Sequence, residues 1–395
     1  MLLTLARVVV GLVAVAVAVT ALRSALRTIV IPRGIPDRLT RIIFRAIDTP
    51  TAWRAGRAPS SVRVLDRRTA NVATRLLLAQ LVTWLAAIWL AGAGVQWALG
   101  GGSAGWVLGA SAAALTTLTV SSSGAASAAA YIEAVLGLGL LALIIGYLPS
   151  FYAAFSRREA LVSRLAMRTG MPPHGPAILR HLWHPAGPQA LLSSTWKAWE
   201  TWFIDLSESH TSFPVLVFYH SPQTDKSWIT AAGAVLDSAA LALAAVDGGW
   251  GPEAGMCLHA GIVSLRHIAD FHGISYHPSY YREAGAETIA VEEHEVVAAC
   301  EELRAAGLPV LRDLGAAYGR YRAHRGQYDH LLLALSAYVY APSAPWSSDK
   351  AVAGRPRPPV IHLGPGSLCR VYPQPGWSDE GEPGSGPMRP GPGRD

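Results

Sequence analysis

Three long apolar runs in the first 156 residues alternate with segments of very different polarity. The runs cover residues 8–22, 76–99 and 134–156. A bilayer-spanning helix needs roughly 20 apolar residues, and each run reaches or approaches that length when its flanking residues are included. The pattern predicts three membrane-spanning helices, with a cleaved signal peptide as the alternative for the first of them.

Residues 100–132, between the second and third runs, carry no charge. Within them, residues 106–118 predict a short helix, and the adjoining stretch LTTLTVSSSG (115–124) contains a row of hydroxyls. Non-helical backbone at membrane depth is tolerated only where protein buries it or where it lines a wet cavity. We therefore expect a re-entrant helix and loop. The alternative is three plain spans with a hairpin of small residues.

Beyond the third run, the pattern predicts soluble helices. Residues 157–169 either continue the last span or start a new helix, and tryptophans at helical spacing between 196 and 202 predict one buried face. Residues 227–246 are apolar nearly all round, and Asp237 in their middle favours a buried core helix over a fourth span. The segment PVLVFYH (214–220) is a candidate strand without a partner strand, so an all-α domain is expected.

Composition favours a membrane half followed by a soluble half. Charged residues make up only 15% of the chain, whereas roughly 25% is typical of soluble domains. Between residues 76 and 156 the only charged side chain is Glu133. We predict an all-α membrane protein in five parts, which are an N-terminal transmembrane helix (1–23), an Arg-rich cytoplasmic amphipathic loop (24–72), a membrane module (73–156), a helical cytoplasmic domain (157–350) and a disordered Pro/Gly-rich tail (351–395).

The distribution of arginine predicts the orientation. Residues 23–68 hold eleven arginines against three aspartates, which favours a cytoplasmic loop, an external N-terminus and a multi-pass protein of the plasma membrane. Leu39, Ile42 and Ile43 share one helical face, so this loop is either an interfacial helix on anionic lipid or a solvated basic loop. The arginines that set the membrane orientation account for much of the net charge of +6. Because this excess needs no nucleic acid to explain it, we expect no nucleic-acid partner.

The order of span, short helix, T-x-T-V element and inner helix resembles the pore of potassium channels. Thr119 and Val120 match the first two positions of the filter motif, whose carbonyls replace the hydration shell of the ion. The resemblance marks as filter-like Thr116, Thr117, Thr119, Val120, Ser121, Ser122, Ser123 and Gly124. It implies a homotetramer in the lipid bilayer, a monovalent cation as the permeating species, and a gate or hinge in the inner helix at Gly137, Gly139, Gly146 and Pro149. By the same analogy, Glu133 would form a ring of carboxylates at the outer mouth, with a lone acid at headgroup level as the alternative.

Residues 121–123 depart from the motif, because three serines stand where glycine, tyrosine and glycine are found. Filter glycines adopt conformations that a Cβ disfavours by about 1–2 kcal/mol per residue. Potassium selectivity is therefore not carried over, and the loop is either wider and lined by hydroxyls or closed. We expect a cation-permeable, channel-like membrane protein regulated by its cytoplasmic domain. The alternative is a non-conducting sensor or scaffold that retains the pore fold.

The segments SESHTSFPVLVFYHSP (207–222) and SWITAAGAVLD (227–237) also resemble a poorly characterised group of bacterial membrane proteins with a channel-like pore. No activity follows from that resemblance. The soluble half has no phosphate-binding glycine loop, nucleophile elbow or HExxH motif, so we expect no enzyme activity and no cofactor.

Candidate metal ligands in the soluble half have i, i+3 spacing, as in His181 with His184 and His267 with Asp270. Ordinary surface or hydrogen-bonded histidine is the expected state, and no metal site is predicted. The acidic run from Glu200 to His210 is expected to be a solvated helix face, with contact to the Arg-rich loop as the alternative. The three cysteines have no short motif and predict neither disulfides nor a zinc site.

Overall fold

A computed structural model describes residues 1–29, 72–183, 188–221, 226–247, 251–274, 289–339 and 341–350, with the single residues 39, 42, 43, 46 and 223. All of them belong to one compact unit, residues 1–362. Apart from the single positions, the Arg-rich loop beyond Ile29 lies outside the described residues. The predicted tail, from residue 351 onward, lies outside them entirely.

Every named element in the described part of the chain is helical. The helices are α1 (Leu2–Ile29), α2 (Val72–Gly100), α3 (Ala104–Thr117), α4 (Ala125–Thr169), α5 (Gly175–Leu182), α6 (Pro188–Ser212), a 3₁₀ helix (Pro214–Phe218), α7 (Trp228–Ala245), α8 (Gly251–Phe271), α9 (Glu293–Ala305), α10 (Leu314–Arg325) and α11 (Asp329–Tyr338). The all-α prediction is confirmed. The strand alternative for residues 214–220 is wrong, because this segment forms the 3₁₀ helix.

Four helices, α1, α2, α4 and α7, are long and apolar enough to cross a membrane. The pair α1 and α2 is antiparallel, since the start of one helix meets the end of the other. A Cβ on Gly11 would lie 3.2 Å from the Ala98 Cβ, and the Trp84 indole donates to the Ser24 hydroxyl at 3.1 Å. Small residues allow the two backbones to approach closely.

Helix α4 continues from the last apolar run into the segment that was predicted to be soluble. It has 45 residues, which corresponds to a length of roughly 68 Å at 1.5 Å per residue. The predicted boundary at residue 156 therefore lies inside one helix. Of the two alternatives for residues 157–169, continuation of the inner helix is confirmed.

Helix α7 is the fourth apolar helix, and protein encloses it. In its most apolar window, 94% of the residues are buried inside the chain, and it packs against α5, α8 and α10. The predicted burial is confirmed, and Asp237 is tolerated there because Tyr321, Tyr328 and Arg325 donate hydrogen bonds to it. The predicted tryptophan face of α6 is buried in the same core.

Candidate functional site

Helix α3 is a short apolar helix that packs between the long helices α2 and α4. Its 14 residues span roughly 21 Å, less than the roughly 30 Å of a hydrocarbon core. The Ser103 hydroxyl caps its first turn by accepting from the Trp106 amide. Leu118, with a φ of +58°, ends it in a left-handed conformation. The helix contacts both α2 and α4, so the non-helical residues that follow it lie beside two apolar helices.

The hydroxyl segment, residues 116–124, is largely exposed in the single chain. Thr116 and Thr117 donate their hydroxyls to carbonyls four residues earlier, at 2.7 and 2.8 Å, and the Thr119 hydroxyl lies 3.0 Å from that of Thr117. Ser121 and Ser123 are exposed, whereas Val120 and Ser122 are half-buried. The structure therefore divides the predicted filter-like residues into an outward-facing group and an inward-facing pair.

The backbone of this segment does not adopt the conformation that filter glycines supply. Positive φ occurs at Leu118 and at Gly124, where it is +59°, but at none of the residues 121–123. The strain argued from the sequence is therefore absent, because none of the three serines takes the left-handed conformation that a Cβ disfavours. Gly124 provides the one positive φ that starts α4.

Glu133 lies in an environment different from the predicted outer mouth. Its side chain is buried, with 4% of the residue exposed, and lies between α2, α3 and α4. The Ser111 hydroxyl donates to Oε1 at 2.5 Å and the Gln96 amide donates to Oε2 at 3.0 Å. A Cβ on Gly92 would collide with the carboxylate. In the single chain this acid stabilises the contact of three helices rather than facing an opening.

A hydrogen-bonded relay connects Glu133 to the hydroxyl segment. The Gln96 amide nitrogen donates to Glu133, while its oxygen accepts from the Ser122 hydroxyl at 2.7 Å. Ser111 also lies 2.7 Å from the Trp89 carbonyl oxygen. Sequence reasoning missed Gln96 and Ser111. For Gln96 the available signal was a side-chain amide within an apolar run, because polar side chains inside a membrane span are costly and usually paired.

The predicted hinge residues of the inner helix have unequal environments. A Cβ on Gly137 would lie 2.5 Å from the Leu115 Cδ1, whereas Gly139 and Gly146 have open space around them. Gly137 therefore permits close packing of α3 on α4. Pro149 lies inside α4, which continues past it. A gating role for these residues remains a prediction.

The chemical candidates of the soluble half do not converge. Among the described residues, no group of three or more His, Cys, Asp or Glu side chains is placed to hold a metal ion, and His184 lies outside them. The His267 ring nitrogen Nδ1 lies 2.8 Å from the Ser207 hydroxyl. In the acidic run, Asp205 pairs with Arg157 at 3.3 Å and His210 is fully buried.

No protein-family model, curated protein or solved structure matches this chain.

Proposed function

We propose that this chain is a subunit of a channel-like membrane protein, in which several copies surround an axis lined by residues 116–124. The observation that carries the proposal is the exposed, hydroxyl-rich segment 116–124, which is non-helical beyond Thr117 and connects two apolar helices. At membrane depth, such a segment requires contact with protein or water. Because the single chain leaves Ser121 and Ser123 exposed, further copies and the water between them would complete the site.

The chemistry of the segment favours cations without potassium selectivity. Threonine and serine hydroxyls both donate and accept hydrogen bonds, so they can replace part of the water shell of a monovalent ion. The segment carries no formal charge, and Glu133 is enclosed within the chain. The tetrameric state is proposed from the potassium-channel resemblance, since homo-oligomers usually close around a symmetry axis.

The proposed topology follows from arginine. The loop between α1 and α2 would lie in the cytoplasm, with the N-terminus of α1 outside. Helix α4 would then carry the chain from the plasma membrane into a cytoplasmic helical domain that regulates the pore.

A non-conducting sensor or scaffold with the same architecture is the second candidate. It is supported by the backbone of residues 121–123, where the conformations that would form stacked rings of carbonyls are absent. Such a protein would use the membrane helices for assembly and the cytoplasmic domain for its activity.

Cysteine accessibility tests whether the segment is wet. The membrane half contains no cysteine, so Ser121→Cys and Ser123→Cys introduce single reactive sites there. The matched control is Thr20→Cys on α1, which is also exposed in the single chain but would face lipid. We expect a charged, membrane-impermeant thiol reagent to modify positions 121 and 123 and to spare position 20. Protection of all three positions would contradict a water-lined segment.

Ion flux into liposomes then distinguishes the two candidates. We expect potassium and sodium, but not chloride, to pass through the native protein. Flux only in the Ser121→Gly, Ser123→Gly double variant would identify a pore closed by its serines. Silence of both folded proteins would favour the sensor or scaffold.

A further inference from the structure

The C-terminal part of α4 carries a buried arginine, Arg158, whose N–H donors are all within hydrogen-bonding distance of partners. Arg158 is 1% exposed, and its Nε donates to Glu159 at 2.9 Å. Nη1 donates to the Leu216 carbonyl at 3.0 Å and lies 3.3 Å from His210 Nε2. Nη2 donates to the Tyr219 carbonyl at 2.5 Å and lies 2.8 Å from Glu159. A guanidinium has five N–H donors in a rigid fork, and these contacts can occupy all of them.

Two of these partners are backbone carbonyls at the end of the 3₁₀ helix. This helix directly follows α6 and also contacts α2. The Leu216 side chain is fully buried against Phe151 and Phe155 of α4. The 3₁₀ helix therefore touches both long helices, and Arg158 attaches it to one of them.

Aromatic packing reinforces this attachment. The Tyr219 ring lies edge-on to Phe151 and Phe155, with ring centres 5.3 and 4.9 Å apart. The Arg158 guanidinium lies 5.2 Å from the centre of the Phe155 ring. Edge-to-face contacts and a buried cation near a ring are each stabilising, so the junction combines polar and apolar contacts.

Helix α6 holds the same arginine from a second direction. The Trp202 indole donates to the Arg158 carbonyl at 3.1 Å. His210 Nδ1 lies 2.8 Å from the Leu206 carbonyl, so Nδ1 carries the proton and Nε2 accepts from Arg158. Burial and the neighbouring guanidinium both lower the pKa of His210 well below its usual value, which keeps this histidine a neutral acceptor.

We infer that Arg158 is a positioning residue that fixes α6 and the 3₁₀ helix to the C-terminal part of α4. A displacement of these helices would then move the span instead of being absorbed at the junction. The consequence for ion flow rests on the proposed function, whereas the rigidity of the junction does not. The adjacent Arg157 is exposed and pairs with Asp205 at the surface, so it provides a matched control.

A spin-label distance measurement on the full-length protein in lipid tests this inference. Labels at Ser150→Cys and Thr201→Cys occupy exposed positions of α4 and α6. Cys369 is replaced by serine, Cys257 and Cys300 are buried, and excess unlabelled protein isolates distances within one chain. We expect one narrow distance distribution in the native and Arg157→Lys proteins. In Arg158→Lys we expect that peak to broaden or split, because a single ammonium cannot reach all partners of the fork.

A native distance distribution in folded Arg158→Lys protein would overturn the inference. If that variant does not fold, the double variant Arg158→Gln, Glu159→Gln decides, because it removes the two paired charges together and a single amide cannot reach both the Leu216 and Tyr219 carbonyls. Broadening in the folded double variant supports the inference, and a native distribution overturns it. Flux measured on the same samples separates the two proposals, because failure of the proposed function silences every variant and leaves the distances informative.

Discussion

Replacing Arg325 by methionine is expected to destabilise severely the packed helices that follow α4. Arg325 and its acidic partners Asp237 and Asp329 all have fully buried side chains. The guanidinium donates to Asp237 at 2.5 Å, to Asp329 at 2.9 Å and to the Trp346 carbonyl at 2.6 Å. Burial opposes its charge, but the two carboxylates outweigh that effect and keep the pKa of Arg325 well above its usual value.

The magnitude follows from what the substitution leaves behind. Removing one partner of a buried ion pair costs about 3–5 kcal/mol, because the remaining charge has no compensation. Here two carboxylates remain. Asp237 keeps its bonds from Tyr321 and Tyr328, which reduces the loss without neutralising the charge. For a region of this size, such a loss lowers the melting temperature by roughly 10 °C.

The assay is thermal unfolding of the detergent-purified protein, followed by near-ultraviolet circular dichroism of its aromatic side chains. Arg322→Met, on the exposed face of the same helix, is the control and is expected to melt within about 1 °C of the native protein. Asp237→Asn is expected to cost less than Arg325→Met, because Arg325 and Asp329 remain a neutral pair. Equal melting temperatures for Arg325→Met and Arg322→Met would refute the reasoning.

Two further predictions concern Gln96 on α2 and His272, which directly follows α8. Gln96→Leu is expected to remove the partner of the Ser122 hydroxyl and one donor to Glu133, which lowers the free energy of unfolding by about 1–2 kcal/mol. Amide hydrogen exchange of residues 118–124 should accelerate, and unchanged exchange would contradict the relay. Acidification is expected to destabilise the fold through His272, because burial lowers its pKa to about 4, so the unfolded chain binds a proton first. The contribution of neutral His272 to the free energy of unfolding is complete above about pH 6.5 and falls by up to about 3 kcal/mol towards pH 4. Melting temperatures that stay constant between pH 6.5 and pH 4 would argue against this prediction.

The long apolar helices and the all-α class were predictable because they depend on local properties. A run of about 20 apolar residues predicts a helix long enough to cross a membrane, and helical spacing of tryptophan identifies a buried face. The burial of residues 227–246 was predictable for a similar reason, since a helix that is apolar all round and contains Asp237 needs protein on every side.

The candidate site was only partly predictable. The hydroxyl segment was visible as composition, but the inward orientation of Ser122 was not, because its partner Gln96 is 26 residues away. Glu133 was recognised as the single acid of the membrane half. Its burial depends on Ser111 and Gln96, which approach it from two other helices.

The sequence alone determined where the chain is apolar, where it is helical and which residues carry hydroxyls or charge, because each property depends on neighbours a few positions apart. Only the tertiary structure decided that Ser122 turns inward while Ser121 and Ser123 face outward. It also decided that Arg158 binds carbonyls 58 and 61 residues further along. Helical periodicity identifies the face that must be covered, whereas the partner that covers it is selected by packing and by the need to pair buried polar groups.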